Sequence, residues 1–107
     1  MRFERLLVPL DGSEAAHVAL DYAGLIPSRV VILLSVIPDG MAELVSWGEG
    51  QREEWRAAVL ARVTAYLDEA AAALERQGRE IETRVGWGDP AEHILAAAAE
   101  ADLIIMT

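Results

Sequence analysis

The run Leu6-Leu7-Val8-Pro9-Leu10, followed at once by Asp11-Gly12-Ser13, decides the fold. An unbroken apolar stretch of strand length does not alternate as a strand with one wet face would. It reads as a strand covered on both faces and closed by a turn. From Glu14 to Ile26 the spacing becomes helical: Ala15, Val18, Ala19, Tyr22, Leu25 and Ile26 form one stripe, with Ser13 as N-cap and Pro27 beyond the end. Arg29 to Ile37 is a second apolar run, rich in β-branched residues and stopped by Pro38-Asp39-Gly40. Met41 to Gly50 has no clear period and reads as a loop. From Gln51 to Gln77 a long amphipathic helix carries Trp55, Val59, Val63, Tyr66, Leu67, Ala70 and Leu74 on one side, with Gly78 as its stop. Ile81 to Val85 alternates apolar and polar, as an edge strand does. Asp89-Pro90-Ala91-Glu92 is a capping box with proline at the first helical position, opening an alanine-rich helix through Ile94, Leu95 and Ala98. Leu103-Ile104-Ile105-Met106 is the fourth strand, apolar on both faces.

Strand and helix thus alternate along the whole chain, which predicts right-handed crossovers and a parallel sheet with helices on both faces. The expected strand order is 3-2-1-4, with the long helix and the last helix on one face and the first helix on the other. Ligands of such sheets bind beyond the carboxyl ends of the strands, where the strand order reverses. Asp11, at that end of the first strand, is therefore the leading candidate residue. Asp11-Gly12-Ser13 supplies a carboxylate, a permissive turn residue, a hydroxyl and the amides of a helix start. Two readings stand side by side: a turn with an N-cap, and a site for a polar ligand. Asp11 would repel a bare phosphate, so its natural partner is a ribose hydroxyl, a base or a metal.

Composition excludes much. With 107 residues, 53% hydrophobic, the chain builds one domain. A net charge of −9 disfavours nucleic acid and anionic membrane as partners. There is no cysteine, hence no disulfide, thiolate zinc site or thiol nucleophile. There is no lysine either, which removes Walker-lysine, Schiff-base and Ser-Lys chemistry. The start, Met1-Arg2-Phe3-Glu4-Arg5, lacks a signal-peptide pattern and no apolar stretch is long enough to span a bilayer, so the expected location is cytoplasmic. His17 and His93 have no partner at ligand spacing and read as surface or packing residues, with no metal site implied. Trp47 and Trp87 read as loop residues packing at a rim. The acidic residues of the long helix are balanced by Arg52, Arg56, Arg62 and Arg76 and read as a solvated face. Neither Ser13 nor Ser35 has a histidine implied nearby, so no catalytic constellation assembles.

The string Arg5-Leu6-Leu7-Val8-Pro9-Leu10-Asp11-Gly12-Ser13-Glu14 resembles the opening of the universal stress protein family. So do Leu33-Leu34-Ser35-Val36-Ile37, Gly86-Trp87-Gly88-Asp89-Pro90-Ala91-Glu92-His93-Ile94 and Ala101-Asp102-Leu103-Ile104-Ile105-Met106, in the family's order over almost the whole chain. The resemblance implies a Rossmann-like α/β fold of the adenine nucleotide alpha hydrolase type. It implies a stress-response regulator that binds ATP, AMP or another adenine nucleotide, with Mg as the nucleotide's counter-ion and at most slow hydrolysis rather than an enzyme's turnover. Carried over residue by residue, the nucleotide site takes Leu10, Asp11, Gly12, Ser13, Val36, Met106 and Thr107, with Asp11, Val36 and Met106 around one cleft and Gly12 and Ser13 at its floor. The family's glycine-rich phosphate segment and fifth strand follow its fourth strand, and nothing follows Thr107 here. Residues 1–107 are accordingly expected to be a single domain truncated after strand four, binding ATP weakly or not at all. A homodimer is the expected assembly, with an unidentified protein partner. The alternative reading is a family member that binds no nucleotide and acts as a protein-interaction module.

Overall fold

A parallel sheet is built from β1 (Phe3–Pro9), β2 (Ser28–Ile37), β3 (Glu80–Trp87) and β4 (Leu103–Ile104). The helices α1 (Glu14–Leu25), α2 (Gln51–Glu75) and α3 (Pro90–Ala98) connect them in turn. This computed structural model describes residues 3–38, 48 and 50–106, so the loop expectation for Met41 to Gly50, Trp47 included, lies largely outside the described residues. The sheet order is β3-β2-β1-β4, all neighbours parallel, as the alternation of elements requires. Leu6 and Leu7 pair with Val31 and Ile32 on one side and with Leu103 and Ile104 on the other, which makes β1 central. Its apolar run is needed for that position: Leu6, Leu7 and Val8 are fully buried, each contributing roughly 1.5–3 kcal/mol of hydrophobic stabilisation. Among the described residues β3 pairs only with β2, which explains its alternating pattern.

The arrangement of the helices corrects the expected one. Leu6, Val8, Val31 and Leu33 face a core shared by α1 and α2, whereas Leu7, Val30, Ile32 and Leu34 face α3 through Ala97. The steps β1 to β2 and β2 to β3 cross the sheet in one direction, so right-handed connections place α1 and α2 together. The step from β3 back to β4 runs the other way, and the same hand places α3 opposite.

A second correction concerns α1. The residues turned inward are Ala16, Ala19 and Ala23, with Leu20 and Ile26 partly buried; Val18, Tyr22 and Leu25 of the expected stripe are 52%, 58% and 78% exposed. Small side chains let the helix approach the sheet closely, and this outweighs the larger apolar area of the neighbouring stripe. In α2 the expected stripe does turn inward, most fully at Leu67, Ala70 and Leu74. The helix ends at Glu75 with Arg76 as its C-cap, and Gly78 follows in the left-handed region (φ 77°) that favours glycine. β4 is shorter than expected: its ladder continues only through the Ile105 amide, which donates to the Leu7 carbonyl at 3.0 Å. Its side chains are half-buried rather than covered on both faces. Trp87 is the last residue of β3, not part of a loop. Among the described residues no helix is long and apolar enough to cross a membrane.

Candidate functional site

Every strand of a parallel sheet ends on the same side, and here those ends frame a cleft of about 540 Å³. β1 delivers Leu10 and Asp11 to it, and the end of β2 delivers Ser35, Val36 and Ile37. Met106 arrives just past β4. Val59 and Val63 of α2 close one side, Pro90 and Ile94 of α3 the other. The cleft therefore sits where connections leave β1 for β2 on one side and reach β4 on the other, the place where parallel sheets accept ligands. Its wall is mostly aliphatic, and Asp11 is its one charged residue among the described residues. Met106 is 61% exposed and forms a rim.

The Asp11-Gly12-Ser13 turn is internally occupied. The Ser13 amide donates to the Asp11 carboxylate at 2.9 Å, and the Ser13 hydroxyl accepts from the Ala16 amide at 3.2 Å as the N-cap of α1. Gly12 takes φ 82°, which lets the chain reverse between strand and helix. Hydrogen bonding from the Ser13 hydroxyl, then from its amide, holds Asp11 below the usual carboxylate range, so it is ionised at neutral pH. Leu10, Asp11, Val36 and Met106 are thus brought together. Gly12 and Ser13 are not among the residues that line the cleft; Ser13 caps α1. Thr107 lies outside the described residues.

Reading the sequence missed the helical walls. Val59 and Val63, one turn apart, and Ile94 read as parts of apolar helix stripes, and Pro90 as the first residue of its helix. The signal was present in α2, whose apolar stripe continues toward its N-terminus beyond the buried Leu67 to Leu74 segment. Trp87 does not line the cleft; its ring meets Trp55 edge-on at 6.5 Å, with the Arg56 guanidinium 5.1 Å from its centre. His93 packs rather than ligates: its Nε2 lies 2.9 Å from the Trp87 carbonyl oxygen. A Cβ on Gly86 would stand 2.6 Å from His93 Nδ1, so only glycine permits that approach. His17 meets Tyr66 edge-on at 6.3 Å in a separate groove of about 530 Å³ between α1 and α2, away from the strand ends. The Tyr66 hydroxyl is buried beside the Gly12 backbone, and burial raises its pKa. Among the described residues no three His, Cys, Asp or Glu side chains converge as metal ligands.

A four-stranded parallel sheet in this order, with an aliphatic cleft at its carboxyl end, defines a Rossmann-like α/β domain. The sequence model of the universal stress protein family matches residues 2–107, and the chain belongs to that family. No curated protein matches it. Among solved structures, hypothetical protein MJ0577 is similar with a TM-score of 0.81 at 24% identity, over 97% of this chain and 73% of that one. A universal stress family protein from Burkholderia pseudomallei is similar with a TM-score of 0.69 at 26% identity, over 96% and 80%. A universal stress protein in complex with cAMP is similar with a TM-score of 0.63 at 23% identity, over 97% and 71%.

Proposed function

We propose that this chain is a regulatory module of the universal stress type, acting in the cytoplasm, whose cleft takes an adenine nucleotide by its nucleoside half. The observation that carries the reading is the convergence of Asp11, Val36 and Met106 on one aliphatic cleft at the carboxyl ends of the strands. A flat ring suits walls of Val36, Val59, Ile94 and Met106, and an ionised carboxylate suits the paired hydroxyls of a ribose. The cAMP complex of a structural relative adds support from outside the chain. The module binds rather than turns over substrate: the Ser13 hydroxyl is engaged in capping, and the two histidines pack elsewhere. Self-association is part of the reading. β4 pairs on one side with β1, and its half-buried side chains suit a second copy along the other side. Light scattering that finds only monomer at high concentration removes that part.

The central test is saturable binding of cyclic AMP or AMP, followed through the methyl resonances of Val36, Ile94 and Met106. Val36→Trp, which fills the cleft, is expected to abolish it. No saturable binding at millimolar ligand, or shifts confined to residues outside the cleft, rejects the reading.

A further inference from the structure

β2 is apolar from Val30 to Ile37 except at Ser35. That residue is only 7% exposed, and it lines the cleft where the strand ends. A hydroxyl taken out of water finds a hydrogen-bond partner in most proteins, because leaving it bare costs free energy. Among the described residues the Ser35 hydroxyl has no such partner. The backbone of Ser35 is held in the ladder opposite Val85 of β3. Successive strand residues alternate between faces, so Ser35 lies on the side of Val31 and Leu33, the α2 side, where Val59 and Val63 wall the cleft.

A second buried serine gives the comparison. Ser28 opens the same strand at the opposite end of the sheet, and its hydroxyl is also without a partner among the described residues, but it is fully enclosed. No ligand reaches it there. Ser35 instead opens on a ligand-sized space. With Asp11 it supplies the polar side chains of the cleft lining among the described residues, from strands about 4.8 Å apart. The two differ in kind: an ionised Asp11 only accepts hydrogen bonds, whereas the Ser35 hydroxyl donates or accepts.

Resting on the reading that the cleft takes the ring of a nucleoside, we infer that Ser35 is its specificity-determining residue. The hydroxyl hydrogen-bonds the edge of the bound ring on the α2 side, so the cleft favours a nitrogen heterocycle over a ring without a hydrogen-bonding edge. Burial gives the selection its strength, since a ligand that brings no partner leaves the hydroxyl bare.

The test compares Ser35→Thr with Ser35→Val in the whole chain, a pair equal in shape that differs in the hydroxyl. Ser35→Ala against the parent repeats the comparison without the added methyl. AMP is expected to bind Ser35→Thr as it binds the parent, and to bind Ser35→Val and Ser35→Ala about three- to tenfold more weakly in calorimetric titration. Ser28→Ala, the enclosed serine, should leave the affinity unchanged. Without ligand the order does not follow affinity: Ser35→Val is expected to melt no lower than Ser35→Thr, because its loss of the hydroxyl breaks no bond within the fold. Equal affinity for the hydroxyl and hydrocarbon variants overturns the inference. So does a lower melting temperature for Ser35→Val, which would show that the hydroxyl already has a partner in the chain. Either result leaves the nucleoside cleft standing, whereas a parent chain that binds no AMP removes the cleft reading and this inference together.

Discussion

The two ends of the sheet are built on different principles. At the amino ends of the strands, polar groups are cross-linked over long sequence distances. The Glu4 amide donates to Asp102 at 2.7 Å, the Asp102 amide to the Arg5 carbonyl at 2.9 Å, and Arg29 bridges to Glu4. Arg84, from mid-strand, reaches back to Glu100 at the end of α3 with two hydrogen bonds of 2.7 and 3.1 Å. At the carboxyl ends the side-chain hydrogen bonds stay within a few residues, as in Asp11 with Ser13 and Asp89 with Ala91. Long-range ties fix one end in register, while local caps leave the other open as a cleft. A parallel sheet can therefore be closed at one end and receptive at the other without any difference in its strands.

A core substitution should break both ends together, and it carries the largest expected effect. Leu33 is fully buried against α1 and α2, and Leu33→Ala is expected to cost about 2–5 kcal/mol in urea unfolding. Loss of the cleft without loss of global stability would contradict a shared core.

Gly86→Ala acts on the α3 side alone. The new Cβ displaces His93 from the Trp87 carbonyl, at an expected cost of about 1–3 kcal/mol. Gly86→Ala/His93→Ala should recover part of that cost in a double-mutant cycle, and strict additivity would show that the contact is not the cause.

Ser13→Ala tests the local caps. Loss of the N-cap is expected to cost about 1 kcal/mol, and the Asp11 pKa should rise toward its ordinary value in an NMR titration. The sign follows from linkage. A carboxylate whose folded pKa is depressed stabilises the fold above its unfolded value, and that contribution is lost as pH falls through the folded one. The variant should therefore show less acid destabilisation below the usual carboxylate range than the parent chain.

Arg84→Met has the smallest effect. Its guanidinium pKa is raised by Glu100 and then Glu82, but Arg84 is only half-buried and both acids are exposed, so the expected loss is about 1 kcal/mol and shrinks in molar salt. A larger, salt-independent loss would mean that this clamp is a packing element rather than a tie between charges.

The candidate site was legible in the sequence where a residue's role depends on its place along a strand. Asp11, Val36 and Met106 follow apolar runs, and parallel strands bring their ends to one side. The helical walls were less legible, because Val59, Val63 and Ile94 carry the same apolar code as core residues. Only the position of a helix relative to the strand ends separates a wall from a core.

The sequence by itself determined the alternation of strands and helices, the central place of β1 and the edge place of β3, because a run's burial is written in its pattern. Tertiary structure alone decided which stripe of α1 turns inward. Two stripes, one of Ala16, Ala19 and Ala23 and the other of Val18, Tyr22 and Leu25, are both spaced for a helix face, and periodicity ranks them by apolar size. Packing reverses that ranking, since the distance at which α1 lies on the sheet leaves room for alanine side chains and none for larger ones.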